Sequence, residues 1–297
     1  MGRNANTVSL ALTLLVGAMM NSAFAATPSV AVAPQYDTSH VYVAPADVDR
    51  FATSFLATFG GKSTPQVVVN VLPVPSSTTS QLLQTPVGTV SLFGFSTPIP
   101  HPFGQERNGY LVKDMDVALK AARENGAAVI VSDFPDPIGR DAVVQWPGGV
   151  NMQLYWHTQA PNYAGFQTVP ENRVYLPAER AEAFINAFLG FSHGKVLADD
   201  KHAPGIDIGQ GGLYRRIDLQ SPFGRMAVLV TNGQLHYPFG HETTGYQVDD
   251  LTATLAKATG SGATVLVPAF ASKGRRSAMV EFPGGYVAEI HQLSAAK

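Results

Sequence analysis

Two glutamates sit in matching settings 136 residues apart: Glu106 in PFGQE and Glu242 in PFGHE. A carboxylate carried into a cleft on such a loop can accept a substrate proton or hold a hydroxyl. His241 is next to Glu242, and His291 follows Glu289 by two residues, a spacing that puts both on one face of a strand. Together His241, Glu289 and His291 supply two imidazoles and a carboxylate, donors suited to zinc or another divalent ion. They equally make an ordinary polar strand end. Arg107 and Arg140 have the fork geometry to hold an anionic ligand. The doubled loop also reads as a plain connector, with Pro102 and Pro238 fixing φ, Gly104 and Gly240 permitting a turn, and Phe103 and Phe239 plugging a seam.

Composition bounds where such chemistry takes place. Residues 1–25 carry one positive charge, an apolar run from Val8 to Met20 and a closing Ala-Phe-Ala, the pattern of a cleaved secretory leader. The mature chain is expected in the periplasm or outside the cell, with no membrane association after cleavage. The chain has 20 Lys and Arg against 22 Asp and Glu, and loss of Arg3 with the leader leaves a net charge of −3. No basic patch serves phosphates, so nucleic acid is not an expected partner. Cysteine is absent, which removes thiol chemistry, iron–sulfur clusters and Cys-ligated zinc. No G-x-S-x-G, Walker, H-E-x-x-H or dinucleotide motif occurs.

The elements that must position these residues come in two copies. HPFGQERNGYLVKDMDVAL from His101 answers YPFGHETTGYQVDDLTATL from Tyr237. HVYVAPADVDRFATSFLATFGGK from His40 answers RVYLPAERAEAFINAFLGFSHGK from Arg173, and GRDAVVQWPGG from Gly139 answers RRSAMVEFPGG from Arg275. A nearly constant offset over so many segments means one duplicated unit. We expect a leader at 1–25, a first domain at 38–157, a linker at 158–170 and a second domain at 171–294, each domain with its own core. In the first helix of each copy, Phe51, Phe55 and Phe59, or Phe184 and Phe188, share a face. Asp114 and Asp250 are placed to cap the second helices, which should stop at Gly126 and Gly262. Residues 76–80 read as a polar loop, and the Gly-rich stretch from Asp199 as another. Each copy then runs β-α-β-β followed by β-α-β-β-β, two βαβββ-like modules whose sheets join into a curved half-barrel with helices outside, an α+β class.

With HVYV opening a copy, GYLVKDMDVAL and GYQVDDLTATL in mid-copy and FPGGYVAEIHQL closing the second, the layout resembles the vicinal oxygen chelate superfamily. That superfamily includes glyoxalase I, bleomycin-resistance proteins and extradiol dioxygenases. The resemblance implies tandem glyoxalase-like domains and a concave cleft for a small molecule. In metal-dependent members it also implies one divalent ion, such as zinc, iron, manganese or nickel. Carried over position by position, the ligands fall on His40 and Gln153 in the first copy, and on Arg173 and Glu289 in the second. Ser91, Ala227, Arg107 and Thr243 stand where further ligands would be and are poor donors. Arg173 with Glu289 reads either as part of a substrate or catalytic site or as a salt bridge at the cleft mouth. Tyr110 and Tyr246, with Phe95, Trp146, Tyr155 and Phe282, could stack on a planar ligand. Two functions stay open: a lyase, isomerase or dioxygenase with one metal, or a metal-free binder that sequesters a small molecule. The chain is expected to act as a monomer or homodimer.

Overall fold

The computed structural model describes residues 29–34, 39–72, 76–98 and 106–294, excluding the side chains of Glu106 and Arg107. The expected leader and the segment His101–Pro102–Phe103–Gly104 lie outside the described residues.

The first copy runs β1 (Ser39–Val43), α1 (Val48–Phe59), β2 (Lys62–Ser63), β3 (Val67–Val71), β4 (Ser76–Thr85), β5 (Gly88–Phe95), β6 (Glu106–Leu111), α2 (Met115–Glu124), β7 (Ala128–Asp136), β8 (Gly139–Gln145) and β9 (Asn151–His157). The second runs β10 (Glu171–Leu176), α3 (Ala178–Ser192), β11 (Lys195–Pro204), β12 (Leu213–Ser221), β13 (Gly224–Val230), β14 (Thr243–Gln247), α4 (Leu251–Gly260), β15 (Thr264–Ser272), β16 (Arg275–Phe282) and β17 (Tyr286–Leu293).

The sheets follow matching paths. The first is β2-β4-β5-β1-β6-β9-β8-β7, with β3 also on β4; the second is β11-β12-β13-β10-β14-β17-β16-β15. In each, the two modules meet where their first strands pair antiparallel, β1 with β6 and β10 with β14. Each module closes with a parallel pair, as in β1 with β5 and β14 with β17. β11 takes the edge that β2 and β3 share in the first sheet.

Both helix caps are as the sequence predicts. Asp114 accepts from the Val117 N–H and Asp250 from the Ala253 N–H, each at 2.9 Å. Residues 76–80, expected as a loop, instead open β4. Ser76 and Thr78 are buried there, and Thr is at home on a pleated surface. The stretch from Asp199 is likewise not a loop at its start. It lies in β11, an edge strand whose exposed residues and register shifts conceal its period of two.

The core departs from the expectation of one per domain. One apolar cluster joins Tyr110, Trp146 and Leu154 of the first copy to Phe184, Phe188 and Phe223 of the second. The other joins Phe51, Phe55 and Phe59 to Tyr246, Phe282 and Tyr286. Each module therefore covers its helical side with a module of the other copy. The rings interlock: Phe55 lies 5.3 Å from Phe282 and 5.5 Å from Tyr246, and Trp146 lies 5.1 Å from Phe191. A module this small has too little apolar surface on one helix to close its own core, and the duplicate supplies the rest.

The doubled Pro-Gly-Gly turns mark the same exchange. Gly148 and Gly284 have φ of +96° and +90°. A Cβ on Gly148 would lie 2.7 Å from Leu176 Cδ2, and one on Gly284 would lie 2.7 Å from Val43 Cγ1. Each turn thus presses on the first strand of the other copy, where both positive φ and lack of a side chain are required.

Candidate functional site: one open cup and one filled cup

Strand alternation sends one set of side chains to the helices and the other to the concave face. In β1 and β5, Val41, Val90 and Leu92 enter the core, while His40, Tyr42, Ser91, Phe93 and Phe95 face the cup. In β9, Met152 and Leu154 enter the core, while Gln153, Tyr155 and His157 face the cup.

The first cup holds a cavity of about 510 Å³. Its floor is a run of rings. His40 stacks on Phe93 at 5.7 Å with planes 8° apart, Tyr42 stacks on Phe93 at 5.7 Å, and Phe93 on Phe95 at 6.1 Å. Tyr155 meets His40 edge-on at 6.0 Å and lies 5.4 Å from His157. Val67, Val69 and Val71 of β3 form one wall. The β7–β8 hairpin, with Phe134, Pro135 and Ile138, forms the other, and Asp136, Asp141 and His157 gather on that side. Burial pushes the His157 imidazole down, against the pull of the Asp136 carboxylate, so the ring is neutral at neutral pH.

The second cup is filled by its own side chains. Arg173, 1% exposed, lies at the centre of the floor. Its Nη1 is 3.5 Å from Glu289 Oε2, its Nε 4.0 Å from Glu171 Oε1, and its Nη2 reaches the Asp207 carbonyl at 3.5 Å. Arg216 Nη2 donates to both Glu171 oxygens at 3.0 Å. Arg275 donates to them at 3.2 and 3.1 Å and stands 3.7 Å from Glu289. His291 Nδ1 meets Glu289 Oε2 at 3.0 Å. A Cβ on Gly245 would lie 2.7 Å from Glu289 Oε2, so the glycine makes room for the carboxylate.

Burial raises the Glu289 carboxyl, but Arg173, His291 and Arg275 outweigh it and hold it far below the ordinary range. Glu171 behaves alike, with Arg216, Arg275 and His291 overcoming its burial. Above this network Phe239 packs with Met279 and Val287, flanked by Leu235 and Tyr175. Phe239 presses so closely on Gly209 that a Cβ there would lie 2.3 Å from its ring.

The sequence-derived site residues thus divide. His40, Gln153 and Tyr155 line the open cup. Arg173, Glu289 and His291 are locked in the filled one, and the salt bridge expected at the cleft mouth is on the floor. His241 is half-buried with its imidazole pushed down by desolvation, and it does not join Glu289 and His291: no group of three His, Cys, Asp or Glu able to hold a metal occurs among the described residues. Tyr110 and Tyr246 face the shared core and not the cleft. Tyr110 accepts from Asn172 Nδ2 at 2.5 Å, and Tyr246 and Tyr286 share a hydrogen bond at 3.0 Å. Trp146 and Phe282 are core too.

Glu242 is half-buried just before β14, and its charge acts on the buried phenol of Tyr110. Arg140 is held on the surface by Asp116 and Asp133 and is not available to an anion. The Cα of Arg107 is opposite His40, and that of Glu106 opposite Val41; their side chains lie outside the described residues. The sequence reasoning passed over Phe93, Tyr42 and His157. The signal was there: each is one or two alternations from His40, Phe95 or Tyr155.

No protein-family model matches the sequence, and no curated protein sequence matches it. Solved structures do. A triple variant of 4-hydroxymandelate synthase from Streptomyces coelicolor aligns over 89% of this chain and 94% of its own, at TM-score 0.57 and 13% identity. The Mn(II)-bound glyoxalase from Novosphingobium aromaticivorans aligns over 89% and 83%, at TM-score 0.52 and 14% identity. The 2,3-dioxygenase LapB from Pseudomonas sp. KL28 aligns over 90% and 93%, at TM-score 0.53 and 10% identity. The chain has the tandem vicinal oxygen chelate fold.

A metal-binding vicinal oxygen chelate site needs three protein donors converging on one point. The first cup offers the His40 imidazole and the Gln153 amide, with only the Ser91 hydroxyl as the register neighbour of His40. In the second cup the Arg173 guanidinium already sits against Glu289. Neither donor set, as described, fits a divalent ion.

Proposed function

We propose that the chain is a secreted, periplasmic protein that binds one planar apolar small molecule in its first cup without a metal ion. The carrying observation is the contrast between two cups of common descent. One is hollow and ring-lined, and the other is packed with ion pairs and Phe239. The leader-like pattern of residues 1–25 supports the location. Sequestration, as in the bleomycin-resistance branch of the resemblance, fits a site in which no three metal donors converge among the described residues. A lyase, isomerase or dioxygenase of metal-dependent type would need ligands that the described cup lacks.

Binding follows from the lining. A flat ligand lying on His40, Phe93, Tyr42 and Phe95 gains offset stacking as well as apolar burial, about 2.5 kcal/mol for each 100 Å² removed from water. Gln153, His40 and the tyrosine hydroxyls bring hydrogen-bonding capacity to orient it.

Calorimetric titration with 9-anthracenemethanol should therefore show one site per chain. Phe93→Ala should weaken binding about tenfold or more by removing the centre of the platform. Two equivalents per chain, or an unchanged affinity in Phe93→Ala, would contradict the proposal.

A further inference from the structure

The seam between the two copies has a polar centre that belongs to neither cup. Ser39 is opposite Asn108 across β1 and β6, and Asn172 is opposite Thr244 across β10 and β14. Opposed residues share a face of the sheet, and Tyr110, two residues beyond Asn108 on β6, shares it too. Hydrogen bonds between the copies complete the circuit. Ser39 Oγ lies 2.6 Å from Thr244 Oγ1, and Asn172 Nδ2 donates to the Tyr110 hydroxyl at 2.5 Å. The five side chains thus form a closed circuit of neighbours on the core side of both sheets. Each is 0–2% exposed, so bulk water does not reach them.

The circuit does not satisfy its own members. Among the described residues, Asn108 Oδ1 and Nδ2 have no hydrogen-bond partner, and neither has Asn172 Oδ1. A buried amide left in that state costs stability, and nearly all buried polar groups find a partner in protein or ordered water. The bare atoms select the kind of partner. Asn108 presents a donor and an acceptor, and turning its amide over still leaves one of each. A cation would satisfy only the oxygen and an anion only the N–H, whereas a water both donates and accepts. The negative charge of Glu242, which acts on Tyr110, disfavours an anion further.

We infer that the seam holds an ordered internal water, bound by the amides of Asn108 and Asn172, that ties β6 of the first copy to β10 of the second. The site is independent of the binding role proposed for the first cup.

A crystal structure of the mature chain that shows ordered solvent tests it, with Asn108→Leu as a second readout. A solvent peak should lie within hydrogen-bond distance of both amides. Leucine has nearly the volume of the asparagine but cannot hold the water, and it strands the Asn172 amide. The equilibrium constant for unfolding, measured by urea titration, should therefore rise about tenfold in Asn108→Leu. Without a water the sign reverses, because replacing a bare buried amide by an apolar group of similar shape is neutral or stabilising.

An Asn108→Leu chain as stable as the wild type, or more so, overturns the inference. So does a wild-type structure in which the ordered Asn108 amide is met by a protein group or has no solvent peak beside it. If Asn108→Leu fails to fold, the wild-type solvent peak decides alone.

Discussion

Arg173→Ala is expected to lower the unfolding free energy by about 3–5 kcal/mol, the cost of leaving a buried charge uncompensated. Glu289 is 2% exposed and has Arg173 against one oxygen, so removal of the guanidinium leaves that carboxylate in a site with little water. Arg275 is 3.7 Å away but is committed to Glu171, and His291 already holds the same Oε2. Among the described residues no further cation is placed beside Glu289. Against a total stability of about 5–15 kcal/mol for an ordinary domain, such a loss is large. Urea unfolding at pH 7, followed by circular dichroism, measures it. The double variant Arg173→Met/Glu289→Leu separates charge from packing: it should be less destabilised than Arg173→Ala, because no unpaired ion remains. A loss below about 1 kcal/mol for Arg173→Ala would mean that the network is ornamental.

Acid should undo the same network. Glu171 and Glu289 both have folded-state carboxyls held below their ordinary range. The unfolded chain takes up their protons near pH 4.3, whereas the folded chain resists until lower pH. Their stabilisation is therefore fully present above about pH 5 and is lost as pH falls through and below the unfolded value. With two such carboxylates the slope should approach about 2.7 kcal/mol per pH unit below pH 4. Asp218 works in the opposite direction. Burial raises its carboxyl despite Arg216, so it contributes a small gain in stability as pH falls through its window above 3.8. Asp199 and Asp200 are also lowered, but they are exposed and screened by solvent. Unfolding free energies from pH 7 to pH 3 should show the steep acid limb. Glu171→Gln/Glu289→Gln should flatten it at the cost of lower stability at pH 7. An equally steep limb in that variant would assign acid lability to other carboxylates.

The repeat made most of the fold legible. Positions paired at an offset of 133, such as Ser39 with Asn172, prove structurally equivalent. Both reach across to the other copy, Ser39 Oγ to Thr244 Oγ1 at 2.6 Å and Asn172 Nδ2 to the Tyr110 hydroxyl at 2.5 Å. Capping by Asp114 and Asp250 was legible because it depends on three neighbouring residues. What distant segments decide was not. Periodicity shows that Phe51, Phe55 and Phe59 share a face, but not that the face closes on Phe282 and Tyr246. Tyr110 and Tyr246 looked available to a ligand because a loop of unknown exit angle precedes each, and one residue of register decides whether a strand residue meets cleft or core. The polar start of β4, inside the sheet, and the edge strand β11 looked like loops because the concave face and the outer edge both tolerate polar residues.

For the site, His40 and Gln153 were legible through the resemblance, and the pairing of Arg173 with Glu289 through their opposite charges. The emptiness of one cup and the fullness of the other were not, because they depend on where Phe239, Gly209 and three arginines meet in space. Residues that look interchangeable in an alignment of the copies, such as Ser91 and Ala227 or Gln153 and Glu289, have diverged towards different tasks.

The most direct test is a crystal of the mature chain soaked with 10-bromo-9-anthracenemethanol, with data collected at the bromine edge. A single anomalous peak should appear in the first cup, above Phe93 and between β3 and the β7–β8 hairpin, with the second cup unchanged. A peak beneath Phe239 in the second cup, or bromine only on the outer surface, would contradict the division of the chain into one receptive cup and one sealed by its own charges.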